Sequence, residues 1–316
     1  MKIIYYGTPQ FAVEPLKVLI ENDFTPEAVV TAPDKPAGRG LKTTASDVKE
    51  FVSEKGLRIL QPEKLSDENF IAELKSIQPD LQVVVAFRKL PEAVWRLPKY
   101  GTINLHASLL PDYRGAAPIN HAIINGEKKT GVTTFFINDK IDTGKIILQE
   151  KVSIEENDTA GTLHDKLMKT GAAMLLETVK QIQKDATQVI EQSNLLSNYE
   201  ILHDAPKLSK EFCRINWNES PDKIFNFIRG LSPVPSAWTE ITSNHASTRL
   251  NIFSSQKEII SHNFAPGKME TDQKTFLKVA VPGGFIHLKE LQLAGKKRLQ
   301  VEEFLRGFNI ENNFVQ

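Results

Sequence analysis

One cysteine, Cys213, stands in 316 residues, so the chain cannot close a disulfide on itself, and with only four methionines it offers no sulfur-rich metal framework. A reducing compartment suits such a protein. Net charge is also missing: 39 basic side chains face 39 acidic ones, which excludes a chain-wide attraction to polyanions but not a local basic patch. No run approaches the roughly 18–20 apolar residues that a membrane span needs, and the opening Met1–Gly7 stretch carries no small-residue cleavage signal. The expectation is a soluble, cytoplasmic protein, with no membrane among its partners, acting as a monomer. Repeats and low-complexity tracts are absent as well. What remains, 41% apolar and 25% charged residues over this length, is enough for about two domains with real cores, and rules out disorder and collagen.

The N-terminal half alternates short apolar runs with helical spacing. Ile3 to Tyr6 reads as a strand stopped by Gly7-Thr8-Pro9, and Phe11 to Ile20 as a helix. Ala28 to Thr31, Leu81 to Phe87 and Thr102 to His106 read as further buried strands, followed by Val132 to Ile137 and Ile146 to Val152. Pro33 to Gly40 reads as a loop. Gly161 to Ile182 has the periodicity of a long helix. The first strands are continuously apolar rather than alternating, which predicts an α/β domain with a doubly wound, mostly parallel sheet covered on both faces, a Rossmann-like arrangement. From Lys184 to Lys210 the sequence turns polar, with a short strand expected at Gln188 to Glu191. Beyond it a helix at Pro221 to Arg229 precedes short strands at Ala237 to Thr242, Leu250 to Phe253, Thr275 to Ala280 and Phe285 to Leu293, separated by Pro-Gly turns. These predict a smaller C-terminal β-barrel of OB-like type. The expected domains are residues 1–205, with the linker, and residues 206–316.

The densest chemistry lies in Thr102 to Pro118. On a strand, Asn104 and His106 are two apart and share a face, at the carboxyl end where open α/β sheets bind ligands. An Asn amide can donate to a developing oxyanion, and a His can polarise a carbonyl or move a proton. The same pair can equally satisfy backbone groups in a turn. After the run Thr134 to Ile137, Asp142 can orient His106 and help accept a proton, with Gly144 allowing a close turn, or Asp142-Thr143-Gly144 is an ordinary turn between strands. Lys35, Arg39 and Lys42 sit in a Gly/Pro loop that can meet the phosphates of an RNA groove, or be a solvated basic loop. Lys296-Lys297-Arg298 is a second basic cluster. His106, His121 and Asp142 lack the spacing of a zinc site, and Gly7-Thr8-Pro9-Gln10 lacks the glycines of a dinucleotide fingerprint. Neither a metal nor a dinucleotide is expected.

The run NLHASLLPDYRGAAPI, followed by TGVTTFFINDKIDTG, resembles the signature of the folate-dependent formyltransferases. The resemblance covers the whole chain. The opening KIIYYGTPQFAVEPL, the loop APDKPAGRG, and APKLSKEFCRINW with IRGLSPVPSAWT resemble the family's first strand and turn, its basic loop and the start of its C-terminal domain. It implies that Asn104, His106 and Asp142 are catalytic, that Ser108, Leu109, Leu110 and Pro111 bind the folate, and that Lys35, Arg39 and Lys42 contact tRNA. It further implies a formyl group taken from 10-formyltetrahydrofolate and given to the α-amine of methionyl-initiator tRNA, for translation initiation. Two stretches depart from the family's pattern. Ala86-Phe87-Arg88-Lys89-Leu90-Pro91 stands where members often have Tyr-Gly before Leu-Pro, and Pro233-Val234-Pro235 stands where they often have a Trp between prolines. Two other readings share many of these residues: a sugar-nucleotide amine N-formyltransferase with the same donor, and a folate- or RNA-binding protein that has lost its chemistry. The intact Asn104, His106 and Asp142 argue against the second. The zero net charge also divides, residues 1–206 holding a small acidic excess and 207–316 an equal basic one, which a tRNA-guided enzyme can use.

Overall fold

Ile3-Ile4-Tyr5-Tyr6-Gly7 carries no charge and no break in its apolar character, and it forms β1 (Ile3–Gly7), buried at every position. A strand of this kind suits the middle of a sheet with both faces covered. In the computed structural model, which describes residues 1–37, 42–243, 246–308, 310 and 315, β1 lies between β2 (Ala28–Val30) and β6 (Leu81–Val85). The strands β3 (Lys35–Ala37) and β4 (Lys42–Thr44) pair only with each other, and β5 (Ile59–Leu60) continues the main sheet beyond β2. On the other side follow β7 (Thr102–His106), β9 (Lys129–Phe136) and β10 (Ile146–Ser153), with a two-residue β8 (Arg114–Gly115) between β7 and β9 in sequence. The seven-stranded order is β10-β9-β7-β6-β1-β2-β5. The pairs from β5 to β7 are parallel, and β7–β9 and β9–β10 are antiparallel. Chain order reverses between β1 and β6, so the crevice of an open α/β sheet lies at the carboxyl ends of β1, β6 and β7.

Helices cover both faces. The side bearing Ile4, Tyr6 and Val84 packs on Phe70, Leu74 and Ile77 of α3 (Glu68–Ile77) and on Val94 of α4 (Glu92–Trp95). On the opposite side the Tyr5 hydroxyl donates to the Ala12 carbonyl at 2.7 Å, just before α1 (Val13–Glu21). There too, Gly171 of α6 (Ala160–Gln183) lies so close to Leu105 that a Cβ would meet its side chain at 3.0 Å. Side-chain caps start the polar-headed helices: Ser46 accepts from the Lys49 amide at the head of α2 (Asp47–Glu54), and Asp67 accepts from Phe70 at the head of α3.

The register shows why the sheet carries a site. Leu60, Val30, Tyr6, Val84, Asn104, Phe135 and Ile146 are successive partners across all seven strands, hence one row on one face. Asn104 is the one amide in that row. A side chain with two donors and an acceptor is costly among apolar neighbours unless it finds a partner.

The chain packs as two units. Met1–Gly115, Lys129–Ser153 and His164–Asp204 form the first, and Ala116–Lys128, Ile154–Leu163 and Ala205–Gln316 the second. Where a single cut after residue 205 is expected, residues 116–128, with α5 (Pro118–Ile124), and 154–163 pack with the C-terminal unit. After β11 (Asp204–Ala205), α7 (Pro221–Leu231) precedes β12 (Ala237–Ser243), β13 (Ala246–Ile259), β14 (Met269–Thr271), β15 (Leu277–Val281), β16 (Gly284–Leu293) and β17 (Leu299–Gln300), ending with α8 (Val301–Gly307). The strand order is β12-β13-β16-β15-β14 with β17 added to β16, antiparallel throughout. Its core gathers Ile252, Leu277, Ile286 and Leu288 beneath Ile224, Ile228 and Leu231 of α7 and Phe304 of α8. Cys213 lies in this core, where burial pushes its thiol pKa up, which suits packing rather than reactivity.

Several expectations change in detail. Within the expected Pro33–Gly40 loop, Lys35–Ala37 forms β3, which pairs with β4 beyond the loop, because extended Pro36 still pairs at a sheet edge. The strand expected at Gln188 to Glu191 is a single bridge between Ile190 and Ile146. The run Leu250 to Phe253 is the apolar centre of a 14-residue strand whose polar end continues through a bulge at Ser254 and Ser255. The seven-residue α5 is too short for periodicity to reveal it. Among the described residues, no helix is long and apolar enough to cross a membrane.

Candidate active site

His106 closes β7 and sits in register with Thr133 of β9. Its Nε2 lies 2.9 Å from the Tyr113 carbonyl oxygen. A carbonyl only accepts, so Nε2 carries a proton and donates. That leaves Nδ1 facing Asp142, whose Oδ2 is 3.8 Å away, beyond hydrogen-bond range. The carboxylate is held elsewhere: the Gly115 amide donates to Oδ2 at 3.0 Å. Both side chains are nearly enclosed, 8% and 11% exposed. The expected contact between His106 and Asp142 is thus a close approach, and the group that bonds to the ring is the main chain of Tyr113.

Asn104, two residues back on the same face, projects from the apolar row with its side chain half-buried. Its amide bonds to no other described residue, so its donors are available beside His106.

Asp142 arrives by an indirect route. The connection after β9 begins at the far end of β7, where the Ile137 amide donates to the Thr102 carbonyl at 2.8 Å. Because Asp142 nevertheless stands beside His106, the connection folds back along the strand. Asn138 Oδ1 braces its turn by accepting from the Lys140 amide and the Thr143 hydroxyl, each at 3.0 Å. Asp142 itself is left-handed, φ 53°, a conformation that a residue with a Cβ holds only when its surroundings impose it. Gly144 then passes directly over the end of β9: a Cβ there would fall 1.6 Å from the Phe136 carbonyl oxygen.

Ser108, Leu109, Leu110 and Pro111 continue from His106. The Ser108 hydroxyl donates to the Asp112 carbonyl at 2.7 Å, and Leu110 is fully buried against Phe135 and Ile146. Thr133 is the hub of the loop: its hydroxyl donates to the Ser108 carbonyl at 2.7 Å and accepts from the Leu110 amide at 3.2 Å and from Gln149 Nε2 at 3.0 Å. These bonds fix the loop's path, with the Ser108 and Leu110 side chains turned inward.

The remaining sequence-derived residues are more scattered. Lys35 and Lys42 lie on the paired strands β3 and β4, and Arg39 falls outside the described residues. Arg298 of the second basic cluster is taken up at 2.5 Å by Glu290, over the Phe253 ring. His121 Nε2 donates to the Pro206 carbonyl at 3.0 Å in the second unit, and burial lowers its pKa. In the variant stretch after β6, Arg88 donates to the carbonyls of Pro62 and Glu63 while Phe87 packs on the Tyr6 ring. What sequence reasoning missed is the main chain: the Tyr113 carbonyl and the Gly115 amide. Their only signal was position, within a motif whose side chains drew attention.

A formyl transferase family model matches residues 1–179, and a model of the formyl transferase C-terminal domain matches residues 207–309. The chain belongs to the formyl transferase family. More particularly, it is 50% identical over 315 residues to a methionyl-tRNA formyltransferase of Bacteroides thetaiotaomicron, covering 99% of this chain and 98% of that one. It is 52% identical to the methionyl-tRNA formyltransferase of Phocaeicola vulgatus over 99% of this chain and 97% of the relative. Among solved structures it resembles a sugar 3N-formyl transferase determined with dTDP and 5-N-formyl-THF, with a TM-score of 0.64 and 22% identity over 94% of this chain and 99% of that one. At that identity the likeness speaks to the fold.

Gly144→Ala tests the tight passage over β9. The Cβ cannot be accommodated without moving the Asp142 turn, so the variant should lose about 3 kcal/mol of stability in urea titration and most of its turnover. A variant with wild-type midpoint and rate would show that the turn is not held this closely.

Proposed function

We propose that this chain transfers the formyl group of 10-formyltetrahydrofolate to the α-amino group of methionyl-initiator tRNA, giving N-formylmethionyl-tRNA for translation initiation. Near-50% identity to methionyl-tRNA formyltransferases along 99% of the chain carries this reading, and the grouping of Asn104, His106 and Asp142 at the end of β7 suits the chemistry. The neutral amine attacks the formyl carbon, and negative charge develops on the formyl oxygen. Asn104 donates to that oxygen through its amide, and His106 does so through a proton on Nδ1, because Nε2 is committed to Tyr113. Each such donor is typically worth about 3 kcal/mol in the transition state. Asp142 stabilises the charged ring and takes the proton released by the attacking nitrogen. The bond from the formyl carbon to N10 then breaks, and N10 leaves with a proton, so the net transfer is one formyl group one way and one proton the other. No step in this scheme calls on a metal ion.

The loop Ser108 to Pro111 shapes the folate site largely through its main chain, the Ser108 and Leu110 side chains being turned inward. Lys35, Arg39 and Lys42 contact tRNA phosphates from the loop between β2 and α2, and the protein works as a monomer in the cytoplasm, where its tRNA substrate is. A sugar-nucleotide amine N-formyltransferase is the second reading, favoured by fold neighbours at 21–22% identity.

Incubation with 10-formyltetrahydrofolate and either methionyl-tRNA or an amino-sugar nucleotide separates the two. Formylated methionyl-tRNA is expected, and formylation of the sugar alone would overturn the proposal. His106→Ala and Asp142→Asn should each lower kcat at least about 1000-fold with thermal midpoints near wild type, and near-normal rates would remove these residues from the mechanism. Arg39→Glu should weaken tRNA binding and reduce the slope of log K against log salt by about one, leaving folate affinity unchanged. An unchanged slope would place Arg39 away from the RNA.

A further inference from the structure

Gln192 opens a 3-10 turn (Gln192–Asn198) in the polar stretch that follows α6, about fifty residues beyond Asp142 in sequence, and is only 3% exposed. A primary amide is rarely buried without a full set of partners, and this one has them. Its Nε2 donates to the carbonyls of Asp142 and Gly144, each at 2.9 Å, and its Oε1 accepts from Arg114 Nη2 at 2.6 Å and Nε at 3.2 Å. Arg114 Nε also donates to the Asp142 carbonyl at 3.1 Å. The main chain of the Asp142 turn is therefore held by three donated hydrogen bonds, all from two side chains that also bond to each other.

We propose that Gln192 and Arg114 are positioning residues for the formyl transfer: together they hold Asp142 in its left-handed conformation, so that its carboxylate stays beside His106. The proposal rests on the role of Asp142 proposed above. The physical need is plain. A left-handed non-glycine residue relaxes toward the right-handed or extended regions unless something fixes its peptide planes. In such a relaxation the Asp142 carbonyl rotates, and the carboxylate leaves both the Gly115 amide and His106. Gln192 can do the fixing because it reads the two carbonyls that flank Thr143, while Arg114 adds a charge-assisted bond and locks the amide's orientation. Neither side chain needs to touch the reacting atoms.

The test uses the full chain with Gln192→Met, nearly isosteric but unable to donate, and Arg114→Lys, which keeps the charge but loses the planar fork. The first readout is independent of activity. The backbone amide of Gly115, which donates to the Asp142 carboxylate, should show the same loss of a downfield NMR shift and of exchange protection in Gln192→Met, Arg114→Lys and Asp142→Ala. The second is kinetic, on methionyl-tRNA. Gln192→Met should lower kcat about 30- to 100-fold with KM for either substrate changed less than about threefold, yet lower it less than twofold further when Asp142 is already Asn. That non-additivity is the mark of a residue acting through another, whereas general structural damage multiplies. An unperturbed Gly115 amide in folded Gln192→Met and Arg114→Lys would overturn the proposal, and so would independent, multiplicative losses with Asp142→Asn. If the wild type fails to formylate methionyl-tRNA, the functional reading fails on its own, and the Gly115 amide still decides whether Gln192 holds the turn.

Discussion

The segment Tyr113 to Gly115 bridges the two groups on which the site depends. Its first carbonyl accepts a hydrogen bond from His106 Nε2, and its last amide donates to the Asp142 carboxylate. Ring and carboxylate are thus tied to the same short piece of backbone rather than to each other, and the 3.8 Å between them is the spacing that this piece sets. A direct bond would spend Nδ1 on Asp142. The observed arrangement leaves Nδ1 without a hydrogen bond to Asp142, as the proposed donation to the formyl oxygen needs.

The rest of the first unit serves this placement. A mostly parallel sheet brings the end of β7 into the crevice beside the point where strand order reverses, and its face supplies an apolar row into which a single amide, Asn104, is set. The antiparallel β9 then creates a difficulty, because the connection that follows it starts at the wrong end of β7. The answer is a fold-back that needs Gly144 where the chain crosses the Phe136 carbonyl and a strained Asp142 at its tip. Strain of this order survives only where neighbours over-determine it. Thr133 performs the matching service for the loop of Ser108 to Pro111, joining three of its neighbours through one hydroxyl.

Much of this was legible in the sequence for physical reasons. Apolar runs such as Ile3 to Tyr6, and Leu81 to Phe87 despite its Gln82, read as buried strands, although the second ends at Val85, and spacing two apart puts Asn104 and His106 on one face. Asp142 was legible as a candidate through its motif, but its path to His106 was not, since nothing in a strand's period says that the next connection doubles back. The Tyr113 carbonyl and the Gly115 amide were hidden because main-chain groups are the same in every residue. Gln192 was hidden because an amide in a polar linker looks like solvent-facing chain. The reach of β13 is hidden in the sequence because its second half, from Ser254, is a polar run that begins at a bulge.

The central claim, that the main chain of Tyr113 rather than Asp142 holds the His106 ring, is tested most directly by the tautomer. Nitrogen-15 NMR of His106 in the free protein, at a pH where the ring is neutral, should show the proton on Nε2 and a bare Nδ1. A proton on Nδ1 with a bare Nε2 would mean that Asp142 bonds the ring directly, and would contradict the account.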